Sequence, residues 1–189
     1  MSNSNDTTKK ATMNDLFYNR FVKEVSQDER EGFLMSKFNG SIMDSLNFEQ
    51  NLYGMTGKSC EVYNGGYWEF ANVKDSKAFF IHLNKDKRFI LNNLNYAQKY
   101  SVDGRVLGVV MCMMMYSHAS FHFFNSKPDL AKVYAQHYHN LRDAFYSLVD
   151  AMAYGTQDDN GDYIQDETVS EEVKQEIKDM ASVVNAYLD

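Results

Sequence analysis

His118 and His122 stand four residues apart in "YSHASFH". On a continuous helix they share a face, and two imidazoles at that spacing can ligate a metal ion. A third ligand would come from His137 or His139. The spacing matches no HExxH or Cys-His finger pattern, and no Glu beside His118 offers a base. The structural alternative is a pair of polar positions at a helix end. Ser117, His118 and Ser120 include nucleophile and base types, but adjacent residues on a helix do not face each other. A G-x-S-x-G elbow is absent. Cys60 and Cys112 lack an argued His partner, and two cysteines do not make a disulfide framework. No G-x-x-x-x-G-K-[ST] or G-x-G-x-x-G segment supports a phosphate cradle. A small metal-dependent or hydrolytic enzyme built on His118 and His122 is therefore one reading, carried by the histidine pair alone.

Recognition chemistry has other candidates. "CEVYNGGYWEF", Cys60 to Phe70, sets the only tryptophan behind two glycines. Strand alternation there puts Trp68 and Phe70 on one side and Tyr67 and Glu69 on the other. The first pair reads as the buried face of a hairpin under a central helix. Tyr67 and Glu69 are then the interface candidates, since Tyr is favoured in interface hot spots. Acids further along complete the partner-binding set: Asp143, Asp150, Asp158 and Asp159. The run from Asp158 to Glu172 can also be read as a phosphate mimic toward a basic partner, or as a solvated acidic linker. "DDNGD" has alternating Asp158, Asn160 and Asp162, but Gly161 precedes Asp162, so the calcium-loop register fails. "MCMMMY" sits inside an apolar run and reads as core.

These residues need elements to hold them. A first helix is expected from Thr12, with Leu16, Phe17, Phe21 and Val25 as its apolar side. "FLMSKFNGS" reads as a loop. A second helix starts at Ser41, with Ile42, Met43, Leu46 and Tyr53 partly on one face, and ends at Gly54 or Gly57. "YWEFANV" and "KAFFIHL" form an antiparallel hairpin with Gly65-Gly66 at its entry. "KRFIL" and "AQKYS" form a second strand pair around "NNLN". Ser101 and Asp103 open a helix that is apolar nearly all round. A strongly amphipathic helix follows Pro128 and stops at Gly155. An acidic loop then leads to a last helix from near Thr168, with Glu171 as the capping-box partner.

Length and composition fit one domain: 189 residues, 44% hydrophobic, one Pro. Residues 1–11 are polar and expected to be disordered, 12–155 form a single α+β domain, and 156–189 are an acidic extension. The formal charge of −7 belongs to that extension, where Thr156 to Asp189 holds ten acids and two lysines. The rest is near neutral, so no basic nucleic-acid face is evident. "MSNSNDTTKK" has no apolar signal core, and the longest apolar run, Val106 to Tyr116, is too short to span a bilayer. A cytoplasmic protein without a membrane partner is expected. The oligomeric state is open.

"YNGGYWEF" resembles the Y-x-G-G-x-W-x-F signature of the ArdB/KlcA antirestriction proteins. Tyr63, Gly65, Gly66, Trp68 and Phe70 stand at its positions. "FLMSKFNG" looks like the family's FLPxxFG segment, and Glu49 and Tyr53 fit its Glu-x-x-x-Tyr spacing. The "SVD" helix entry, "YSH" at Tyr116 to His118, and "LRD" at Leu141 to Asp143 are also similar. The resemblance covers roughly Arg30 to Met152. The chain departs from it in three places: "FLM" lacks the proline, "VKDSKAFFIHL" replaces an S-N-G-G turn and Pro-ended strand, and the acidic extension lies beyond the family core. The resemblance implies a compact α+β fold with a small antiparallel sheet of about four strands packed by helices. It implies a non-enzymatic inhibitor of host type I restriction endonucleases that protects incoming mobile-element DNA in a bacterial cell. No cofactor is implied.

Overall fold

Gly104, Gly108, Cys112 and Tyr116 recur every four residues and so share one face of a helix. That face organises the molecule. The computed structural model describes residues 13–93 and 98–188. Its elements are α1 (Met13–Phe21), β1 (Val22–Glu24), α2 (Phe33–Lys37), α3 (Ile42–Ser59), β2 (Glu69–Val73), β3 (Phe79–His82), β4 (Arg88–Asn93) and β5 (Gln98–Asp103). They continue with α4 (Gly104–Phe123), α5 (Pro128–Ala153), β6 (Thr156–Gln157), β7 (Tyr163–Ile164) and α6 (Glu171–Leu188). The expected α+β class holds, with the strands divided among three small antiparallel sheets ordered β1-β2-β3, β4-β5 and β6-β7.

β3 is an edge strand, and an edge leaves alternate N–H and C=O groups unpaired. Helix α4 lies along that edge and satisfies them. Leu83 N–H donates to the Gly104 carbonyl at 3.2 Å. Ile81 N–H donates to Cys112 Sγ at 3.4 Å, and the thiol lies 3.7 Å from the Ile81 carbonyl. Tyr116 OH donates to the Phe79 carbonyl at 3.2 Å. The approach requires glycine, because a Cβ on Gly108 would sit 2.5 Å from the Ile81 oxygen and one on Gly104 would sit 2.4 Å from the Leu83 oxygen. Asp103 caps α4 by accepting from Arg105 N–H and Val106 N–H at 2.8 and 3.0 Å.

Both faces of the three-stranded sheet are covered. On one, Phe80 meets Phe21 of α1, which meets Phe145 of α5. On the other, Phe70 stacks on Phe33 of α2, and Phe79 packs against Phe48 of α3. Trp68 and Phe70 therefore pack under α2 and α3, where the sequence reading put the central helix. By length and composition α4 could cross a membrane, but β3, α3, α5 and α6 enclose it as a core helix. The last helix joins the same core through Val173, Ile177, Met180 and Val184.

Several local expectations change. Val22 to Glu24 pair with β2, so the first helix ends at Phe21 and Val25 is not helical. Thr12, residues 1–11 and residues 94–97, which include the second half of "NNLN", lie outside the described residues. "FLMSK" is a short helix. α3 runs through Gly54 and Gly57 to Ser59, because neither glycine takes the left-handed conformation that would stop it. Its buried face is Ser45, Phe48, Leu52 and Thr56, which leaves Ile42, Met43 and Leu46 exposed. The acidic loop contains the β6-β7 ribbon. Thr168 bonds to Asp166 and Arg20, so α6 starts after Ser170, whose hydroxyl accepts from Val173 N–H at 3.4 Å.

Candidate functional site

The glycine-rich segment before β2 is irregular, and Gly65 takes a φ of +97° that a side chain would strain. The turn folds Tyr63 back onto Trp68, whose indole N–H donates to the Tyr63 hydroxyl at 3.0 Å. Tyr53 of α3 stacks on the indole with centroids 5.3 Å apart. Tyr53 in turn donates to Glu49 at 2.6 Å. Trp68 is buried and locks the segment to α3. Its N–H is bonded and its ring is stacked within the fold.

The same turn walls a cleft of about 420 Å³ with the β3–β4 turn opposite. Gly65, Gly66, Tyr67 and Glu69 line one side, and Asn84, Lys87 and Arg88 the other. Glu69 pairs with His82 across the sheet, and Glu24 pairs with Ala71. In antiparallel register these residues share one face, so β1, β2 and β3 contribute Glu24, Glu69 and His82 to one corner. One ligand-type atom from each lies within 4.8 Å of the others. His82 is 1% exposed, with Nε2 3.0 Å from Glu24 and Nδ1 3.0 Å from the Leu83 carbonyl. Arg105 Nη2 donates to the other Glu24 oxygen at 2.8 Å. Burial alone would raise the Glu24 carboxyl. The hydrogen bonds from His82 and Arg105 outweigh it and hold the group below its usual range. Glu69, expected on an outward face, is instead half-buried beside this pair, because the face it occupies continues into Ala71 and Phe80 of the core.

Tyr67 is 66% exposed, with the Arg30 guanidinium 4.8 Å from its ring centre. Beyond Arg30 runs a groove lined by Leu34, Met35, Ile42, Leu46 and Phe70. His118 and His122 are exposed and line a separate cleft between α3 and α4 whose other described walls hold no acid. Among the described residues, the grouping of three close metal-type ligands is Glu24, Glu69 and His82. His137, a candidate third ligand, is committed elsewhere: its Nε2 lies 2.8 Å from the Lys37 carbonyl, and burial lowers its pKa. His139 is exposed on the same helix. Burial pushes the Cys112 thiol up to about 12, which leaves it inert as a nucleophile. Tyr116 is fully buried in the seam.

The acidic candidates scatter. Asp143 and Asp150 are exposed on α5, and Asp143 lies 3.6 Å from Arg142. Asp158 accepts from Asn160 N–H and Asp162 N–H to shape the β6–β7 turn, and Asp159 is exposed beside it. The corner residues Glu24 and His82 went unread in the sequence. Hairpin register could have placed His82 opposite Glu69. Glu24 sits on a three-residue strand too short to carry a periodic signal.

Comparison with known proteins agrees with this architecture. A sequence profile described as antirestriction protein matches residues 61–154, which include the glycine turn, β2 to β5, α4 and α5. The uncharacterized Escherichia coli K12 proteins YafX and YfjX are each 26% identical, over 123 and 124 residues, covering 65% of this chain and 76% of theirs. A solved structure reported for the KlcA and ArdB proteins is 20% identical, covers 67% of this chain and 87% of its own, and superposes with a TM-score of 0.57. That report describes a novel fold and antirestriction activity against type I DNA restriction systems in vivo but not in vitro. The glycine turn locked by Trp68, the strands it introduces and the helix sealing their edge all fall inside the matched region, and residues 61–154 are an antirestriction-protein domain with the fold of the KlcA and ArdB structure.

Proposed function

We propose that this chain relieves host type I DNA restriction, and so protects incoming mobile-element DNA, by binding and without chemistry of its own. The family match over residues 61–154 carries the proposal. The activity described for KlcA and ArdB in vivo but not in vitro supports inhibition that needs a cellular component besides the endonuclease. The site of action is then the bacterial cytoplasm. For the contact surface we propose the face around Tyr67 and Arg30, continuing into the groove at Ile42 and Leu46. Exposed Tyr and aliphatic side chains beside an Arg have the composition of interface anchors.

A phosphate-mimic role for the C-terminal acids finds less support. Arg20 pairs with Asp166, and Lys174 pairs with Glu171, so part of that charge is neutralised within the fold. Deleting residues 156–189 would be a poor test, since it strips six buried residues of α6 from the core, of which Val173, Ile177, Met180 and Val184 alone are worth on the order of 6 kcal/mol. Asp158→Asn with Asp159→Asn removes charge and keeps the helix.

The test is the plating efficiency of unmodified phage on a type I restricting host expressing the chain. Efficiency should rise toward that on a restriction-deficient host, and should stay high with the Asp158→Asn, Asp159→Asn pair. Undiminished restriction at good soluble expression would overturn the proposal.

A further inference from the structure

Glu24, Glu69 and His82 come from three adjacent strands of one sheet, so hydrogen-bonded backbone fixes their spacing. The Leu83 carbonyl takes up Nδ1 of His82 and leaves Nε2 facing the two carboxylates. A histidine anchored through one ring nitrogen to a backbone carbonyl is the usual arrangement behind a metal-bound imidazole. Arg105 holds one oxygen of Glu24 and so aims the other at Nε2. Glu69 opens onto the cleft beside Gly65 and Gly66, which gives solvent and an ion a way in. Two carboxylates on one corner, only one of them paired with Arg105, favour an added positive charge.

We propose that Glu24, Glu69 and His82 form a binding site for a divalent first-row transition metal, with Zn²⁺ as its probe. One imidazole and two carboxylates suit such an ion better than Mg²⁺, which prefers oxygen alone. Three protein ligands leave at least one coordination position for water on the cleft side. The competing occupant is a proton shared between His82 and Glu24. The proposal rests on the geometry of the sheet and is independent of the antirestriction reading.

The experiment is isothermal titration of the tag-free, EDTA-treated full chain with ZnCl₂, with MgCl₂ as control. Co²⁺ is added in parallel and followed by visible absorption. One Zn²⁺ per chain should bind, and Mg²⁺ should not. Glu69→Gln and His82→Gln should each weaken binding by at least about tenfold. His82 is buried, so its variant is read only beside a circular dichroism spectrum. Glu69 is half-buried, and its glutamine variant keeps shape and fold. The His118→Ala, His122→Ala pair should leave binding unchanged. No saturable uptake up to about 1 mM Zn²⁺ would overturn the site. Uptake that survives Glu69→Gln, or that disappears with the His118 and His122 pair, would also overturn it.

Discussion

Two regions meet on β3 and use polar groups in opposite ways. Along its free edge, the Leu83 N–H, both Ile81 groups and the Phe79 carbonyl find partners on α4, from Gly104 to Tyr116. These groups are taken up within the fold. At the end of the strand, His82 meets Glu24 and Glu69, where acceptors outnumber donors. A saturated seam is scaffold, whereas a corner with spare ligand capacity beside an open cleft is where binding can occur.

Breaking the seam should cost most. Gly108→Leu drives a Cβ into the Ile81 carbonyl and should destabilise by about 3 kcal/mol or more, or prevent folding altogether. Urea unfolding measures it, and wild-type stability would refute the close approach. Trp68→Ala removes the indole between Tyr53 and Tyr63 and should cost about 3–5 kcal/mol in the same assay.

The corner should behave differently. Glu69→Gln should change stability by less than about 0.5 kcal/mol while weakening metal binding, which separates the corner from the seam. Smaller still is an effect far from both. Hydrogen bonds from Thr168 and Arg20 hold Asp166 at about 2, below the unfolded value near 3.9. Its contribution is present in full above about pH 4 and is lost as pH falls toward 2. Solvent screening keeps it under about 1 kcal/mol. Asp166→Asn should therefore lower the melting temperature slightly at neutral pH and leave it unchanged in strong acid.

The seam was partly legible in the sequence and the corner was not. All-round apolarity named α4 as core, and Asp103 marked its start. The four-residue recurrence of Gly104, Gly108, Cys112 and Tyr116 also stood in the sequence, but its meaning depends on an edge strand lying alongside. The β2–β3 hairpin followed from alternation and turn residues. Its two covered faces did not, because that depends on α1 and α5 packing from far along the chain. The N-terminal half of α3 misled for a related reason: Ile42, Met43 and Leu46 are apolar yet exposed, so hydrophobicity alone selected the wrong face. Trp68 was readable as part of a buried hairpin face, and it is buried against Tyr53 and Tyr63.

The plating assay with the wild-type chain and Tyr67→Ala side by side tests the central claim most directly. The account predicts restored plating of unmodified phage with the wild type, and reduced relief with a variant of equal expression and melting temperature. Full restriction in the presence of soluble wild-type protein would contradict it.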